Sequence, residues 1–199
     1  MTKNEILASI LPLASKEGLR NLSLSKIAEN AGIAKSTLYS HFDSKDDMID
    51  QLYLFLREKA KERMHIGVVD YGKIVKGKSL EEVLLYVVSS YDSINRDRDM
   101  KNFYAIIESE KAFSNIAARI ITEETETMFT ATKNLFYALE AEKIAHFPSI
   151  ENASLLFAQS VHSTLTLIQD DETAGTEVSK GILEKIIHEF SNLYGIKKE

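Results

Sequence analysis

Apolar residues recur three and four positions apart along most of the chain, the period of helices that bury one face. In the first stretch, Ile6, Ile10, Leu13 and Ala14 form an inner stripe that Leu7 and Leu11 widen, which predicts a helix from about Lys3 to Glu17. Pro12 falls inside it, deletes one backbone hydrogen bond and is expected to bend it. Gly18 ends it, and Leu19 and Leu22 follow as plugs for a small core. Ser23, with Ser25 as its competitor, caps a second helix on which Ile27, Ala28 and Ala31 share a face. Gly32 then supplies the left-handed backbone of a sharp turn, and a third, short helix runs from about Lys35 to Phe42.

Two helices meeting across a brief glycine turn form the helix-turn-helix unit, whose second helix enters the DNA major groove. At about 100° per residue, Leu38 and Phe42 make the apolar side of that helix. Ser36 and Ser40 point the opposite way, with Thr37 beside them and Tyr39 and His41 on the flanks. A hydroxyl-bearing face suits close approach to base edges, and the flanking Tyr and His have the reach for phosphate oxygens. Lys35 and Lys45 can neutralise phosphates, and Lys35 can also reach a guanine. A buried helical hairpin with a polar outside shares the same pattern.

From Ile6 to about Leu52 the chain resembles the DNA-binding domain of the TetR family of transcriptional regulators. Gly18, Ser23, Ile27-Ala28, Ala31-Gly32-Ile33, Thr37-Leu38-Tyr39-Ser40-His41-Phe42 and Lys45 carry the resemblance. It implies that the helix start at Ser23 and Ser25 also touches phosphate. It further implies that a fourth helix links the DNA-binding head to the body; here Ser44 opens it, and Met48, Leu52, Phe55 and Leu56 continue it towards Met64. Ala34 departs from the family pattern, which has Ser or Thr there. Its loss as a cap costs about 0.5–2 kcal/mol, but the backbone N–H groups at this helix start still face a phosphate. The face has no Arg, Asn or Gln for bidentate base contacts, so base reading rests on Lys35, Ser36, Thr37 and Ser40, with DNA shape supplying much of the discrimination.

Beyond the head, Gly67 to Lys78 shows no clear period and reads as a loop or a frayed turn. Ser79 and Glu82 form a capping box for a helix through Tyr91. A helix follows through Met100 to Ile107, then a long one from Ser114 to Leu139. Pro148 is read at the first turn of a further helix through Leu155, Val161, Leu165 and Ile168. A last helix is expected over about Thr176 to Tyr194, with Val178, Ile182, Ile186, Phe190 and Leu193 on one stripe. The sum is an all-α protein of about nine helices. Its division is a helix-turn-helix domain over 1–46 and an effector-binding and dimerisation domain over 47–199.

Composition supports this reading. The 199 residues are 44% hydrophobic and include two prolines and eight glycines, with no apolar run near the ~18 residues of a membrane span. The absence of cysteine excludes disulfides, thiol catalysis and cysteine zinc sites, and the chain reads as soluble and cytoplasmic. The net charge of −6 is distributed unevenly: residues 1–42 hold five basic and three acidic side chains, which leaves −8 for the remainder. A mildly basic head on an acidic body turns the head towards phosphate.

The resemblance also implies a homodimer built from the two C-terminal helices, here through Leu155, Val161, Leu165, Ile182, Ile186, Phe190 and Leu193. Two recognition helices would address a palindromic operator with half-sites about 34–36 Å apart or a multiple of that. It implies a small-molecule pocket in the body as well. Candidate lining residues are Tyr86, Tyr91, Phe103, Tyr104, Ile107, Met128, Phe129 and Phe157, with Gln159 and His162 to orient a ligand. An aromatic stripe at helical spacing is also what plain core looks like, and His162 reads equally as an interior histidine or a dimer contact. Glu184 and His188 read as a solvated pair on one helix face, and Glu123, Glu124 and Glu126 as an exposed acidic run. No HExxH, phosphate-cradling glycine loop or G-x-S-x-G occurs, and the spacing of His65, His146 and His162 suggests no metal or haem site. The expectation is therefore a non-enzyme with no cofactor, a repressor that partners with double-stranded DNA, its own copy and a small effector. The alternative is an interaction protein of the same fold that acts as a coactivator or DNA-bound adaptor.

Overall fold

A computed structural model describes residues 1–18, 21–64 and 69–196, so Leu19 and His65 lie outside the described residues. Among the described residues the chain forms ten helices and no strand: α1 (Lys3–Glu17), α2 (Leu24–Asn30), α3 (Lys35–His41), α4 (Lys45–Met64), α5 (Tyr71–Val75), α6 (Leu80–Asn95), α7 (Arg98–Glu110), α8 (Asn115–Ala141), α9 (Ile150–Ala174) and α10 (Ile182–Tyr194). Packing groups them into two compact units, Met1–Gly67 with Ile94–Glu123, and Val68–Ser93 with Glu124–Glu199. The first unit thus takes in α4, α7 and the start of α8 beyond the helix-turn-helix itself.

The first unit is built on α1. Thr2 and Glu5 cap it reciprocally, the Thr2 N–H donating to Glu5 Oε2 at 2.7 Å and the Glu5 N–H to Thr2 Oγ1 at 3.3 Å. The helix runs on through Pro12. Its buried Ile6, Ile10 and Ala14 join Leu22, Ile27, Leu38 and Phe42 from the next segments, Met48 and Leu52 from α4, and Phe103 and Ile107 from α7 in one core. Tyr53 stacks on Phe103 with ring centroids 5.8 Å apart. At the surface, Arg119 of α8 reaches α4, donating through Nη2 to both carboxylate oxygens of Asp50 at 2.6 and 2.7 Å and through Nη1 to Glu123 at 2.9 Å. All three side chains remain substantially exposed, so Arg119→Gln is expected to cost no more than about 1 kcal/mol in urea unfolding.

The second unit closes around stacked rings. Phe136 of α8 lies 4.4 Å from Phe147 at an interplanar angle of 8°, and Phe157 and Phe190 complete the cluster. Tyr194 packs on Phe147 and Phe190. The end of α10 pairs with the segment before α9, the His146 N–H donating to Tyr194 O and the Ile196 N–H to Ile144 O, each at 2.9 Å. The Ser79–Glu82 capping box forms as expected, at 2.7 and 3.3 Å.

Three elements of this unit differ from the sequence reading. The stretch expected to be a loop or a frayed turn contains α5, which Asp70 caps by accepting from the Lys73 N–H at 3.1 Å. It is too short to show a period, and it folds because Val75 is fully buried. Pro148 stands outside α9, whose N-cap is Ser149. The last helix begins at Ile182 rather than near Thr176, because buried Asp171 captures the intervening turn. Its carboxylate accepts from the Ser179 hydroxyl and the Thr176 hydroxyl, from the Ser179 N–H at 2.7 Å and from the Val178 N–H at 3.1 Å. Those groups would otherwise serve a further helical turn.

The same bonds, the Ser179 hydroxyl first, hold the Asp171 carboxyl well below the usual carboxylate range. A depressed acid contributes stability that is complete above its unfolded pKa of about 3.9 and is lost as pH falls through its folded value. Asp171→Asn should therefore lower the thermal midpoint at pH 7 by several degrees and flatten its fall below about pH 4, as read by circular dichroism melts.

Candidate nucleic-acid interface

The recognition element is set by a helix stop and a helix start. At the end of α2 the Gly32 N–H donates to Glu29 O at 3.0 Å and the Ile33 N–H to Ala28 O at 2.9 Å, with Gly32 at φ +66°. This is a Schellman closure, and only a residue at ease with positive φ completes it. The chain then enters α3 through Ala34, whose extended backbone caps the helix without a side-chain bond. The first N–H groups of α3 are left to solvent or to an anion. Ser23 caps α2, its Oγ accepting from the Lys26 N–H at 3.2 Å, and Ser25 is exposed one residue inside the helix.

Leu38 and Phe42 are buried to 1% and 2% exposure, which orients α3. Ser36, Tyr39 and Ser40 are exposed, while Thr37 and His41 are half-buried. The Tyr39 ring keeps half its surface in solvent, and the Lys35 Nζ lies 5.8 Å from its centroid. The two side chains thus present one ammonium and one phenol hydroxyl along the same flank. Ser40 Oγ donates to Thr37 O at 2.7 Å, so in the free protein its proton is engaged by the backbone. That leaves Lys35, Ser36 and Thr37 as the donors on this face. Lys45, half-buried, opens α4 behind Ser44, whose Oγ accepts from the Asp47 N–H at 3.0 Å. One cation reaches the element from outside the motif: Lys3 Nζ stands 5.3 Å from the Phe42 centroid. No sequence signal links positions so far apart.

The residues expected to line a pocket fall into different environments. Phe103, Tyr104 and Ile107 belong to the core of the first unit, and Phe157 and Tyr91 to that of the second. Tyr86 is exposed, with Lys78 Nζ 4.8 Å from its ring. Met128, Phe129 and His162 are half-buried, and Gln159 is exposed, its Nε2 3.5 Å from Ser163 Oγ. Of the residues expected to meet a second copy, Val161 and Leu165 are buried in the chain's own core. Ile182, Ile186 and Phe190 are half-buried, while Leu155 and Leu193 stay exposed, the latter at 73%; Leu156, beside Leu155, is exposed too.

Two charged groups differ from expectation. His188 Nδ1 lies 3.2 Å from Glu81 Oε1 of α6, so its contact with a carboxylate is made there and not with Glu184. Glu124 turns inward from the acidic run, and burial pushes its carboxyl up to about 7. Among the described residues no group of three His, Cys, Asp or Glu could hold a metal ion, and no helix is long and apolar enough to cross a membrane.

A hydroxyl-bearing helix seated on an apolar base behind a glycine turn defines a helix-turn-helix unit. Residues 6–52 match the family model of the bacterial regulatory proteins, tetR family. The match covers the helix-turn-helix end of the chain, and the TetR-like fold extends over 98% of it. A TetR-family transcriptional regulator from Mesorhizobium loti MAFF303099 superposes with a TM-score of 0.74, at 16% identity, over 98% of this chain and 96% of its own. The flavonoid-responsive regulator FrrA superposes at 0.72, with 21% identity, over 98% of both chains. Among curated proteins, nucleoid occlusion factor SlmA of Yersinia enterocolitica is 32% identical over 69 residues, which span 34% of this chain and 35% of that relative. The chain therefore matches about a third of that relative's length.

Proposed function

We propose that this protein is a ligand-responsive transcriptional repressor of the cytoplasm. In this reading a homodimer binds a palindromic operator and is released by a small apolar or amphipathic effector. The outward Lys35–Tyr39 flank beside the hydroxyls of Ser36 and Thr37 carries the proposal, because it offers phosphate contacts on one edge and short donors to the bases between them. Ser23, Ser25, the open helix start at Ala34, His41 and Lys45 add the backbone contacts that fix register. The head occupies 1–46 and the effector and dimer functions 47–199. Release would be a population shift: the ligand favours a dimer whose recognition helices no longer match successive major grooves, through movement of α4. That the same fold serves a flavonoid-responsive regulator supports a small organic effector.

The test is fluorescence anisotropy on DNA from upstream of the protein's own gene at two salt concentrations. Salt-sensitive binding by two subunits per site supports the reading, and the same assay then screens effectors. Binding no tighter than to random DNA counts against an operator there. A second reading, a DNA-bound adaptor acting through a protein partner, has support from the match to a nucleoid occlusion factor and from exposed Leu156 and Leu193. It predicts operator binding that no small molecule reverses.

A further inference from the structure

The charge around the recognition helix is lopsided. Its N-terminal end offers Lys35 and open backbone N–H groups, both suited to phosphate. Its C-terminal end runs into Asp43, Asp46 and Asp47, with Lys45 the one basic side chain among them. Asp43 and Asp46 are exposed, and the carbonyl end of α3 adds its own partial negative charge. A DNA strand passing this end meets repulsion that the local sequence only partly offsets.

The fold brings a second cation to this end. Lys3, in the first turn of α1, holds its ammonium 5.3 Å from the Phe42 ring centroid, and Phe42 closes α3 by donating its N–H to Leu38 O at 3.1 Å. The nearby acid of α1, Glu5, is committed to the Thr2 N–H at 2.7 Å. Among the described residues no carboxylate pairs with Lys3. A half-buried stem with its charge resting on a ring face is an ammonium held in place without being neutralised.

We propose that Lys3 is a phosphate-binding residue of the DNA interface, held over Phe42 so that its ammonium meets the strand at the C-terminal end of the recognition helix. This rests on the DNA-binding reading above and extends the contact surface beyond the helix-turn-helix motif. A lysine suits the role because phosphate contact at a groove wall needs a point charge with some freedom and no fixed fork.

The test needs no operator, since phosphate neutralisation is independent of sequence. The full chain is titrated onto a fluorescein-labelled random duplex of about 30 bp, long enough for two half-sites, across a series of potassium chloride concentrations. Lys3→Met keeps the apolar stem over Phe42 and removes the charge. It is expected to weaken binding roughly fivefold at low salt and to lower the slope of log K against log salt by about one per subunit, with an unchanged thermal midpoint. Lys3→Arg should retain the wild-type slope. A wild-type slope in Lys3→Met overturns the proposal, and a lowered midpoint with that same slope assigns Lys3 to packing alone. If the wild-type chain itself leaves the duplex free at low salt, the DNA-binding reading falls and this one with it. If it binds and only Lys3→Met is silent, this one falls alone.

Discussion

Phe136→Ala is expected to lower the unfolding free energy by about 3–5 kcal/mol, the largest single-residue effect on stability in the chain. Phe136 is fully buried at the centre of the second unit. Its ring stacks on Phe147 at 4.4 Å and contacts Phe157 and Phe190 at 5.8 and 5.6 Å. Truncation forfeits the transfer energy of the ring and leaves a void that neither α9 nor α10 can collapse into, because their own rings already pack on one another at 4.8 Å. At roughly 2–4 °C per kcal/mol for a chain of this size, the thermal midpoint should fall by about 10 °C. Phe113→Ala is the matched control: its ring is 75% exposed, and its loss should stay within about 0.5 kcal/mol. Comparable losses in the two variants would mean that the ring cluster is not the centre of this core.

Tyr39→Ala is expected to produce the largest loss of DNA affinity, roughly 30- to 100-fold for a dimer that carries the change in both recognition helices. The variant loses the hydroxyl that reaches for phosphate and also the ring against which Lys35 rests at 5.8 Å, so the lysine loses its fixed position. Tyr39→Phe separates the two effects. It keeps the ring and should recover the part of the affinity that comes from Lys35, leaving the deficit of one hydroxyl contact. Because Tyr39 is half exposed, neither variant should move the thermal midpoint appreciably. If Tyr39→Ala bound an operator as tightly as wild type, α3 would not lie in the groove with this flank towards the strand.

The candidate DNA face was legible in the chain because everything that sets it lies within one or two turns. Leu38 and Phe42 at four-residue spacing orient the helix, Gly32 permits the turn, and Ser23 caps the helix before it. Such features recur wherever the local pattern recurs, since dihedral preference and capping bonds act between near neighbours. The capping box at Ser79 and Glu82 was readable for the same reason. The match of residues 6–52 to the tetR family covers this same local code.

Sequence alone therefore determined the all-helical class, the helix-turn-helix and the side of α3 that faces outward. Tertiary structure decided what distant segments do to one another. The start of α10 is set by Asp171 on the preceding helix, His188 pairs with Glu81 from α6, and Val161 and Leu165, apolar residues on a helix greasy on several sides, turn into their own core. Lys3 reaches Phe42 only after α1 folds across the head. Helical periodicity says that a face is apolar or charged, but many partners satisfy a given face equally well. Only the packing of the whole unit, where buried area and paired charge are settled together, selects one of them.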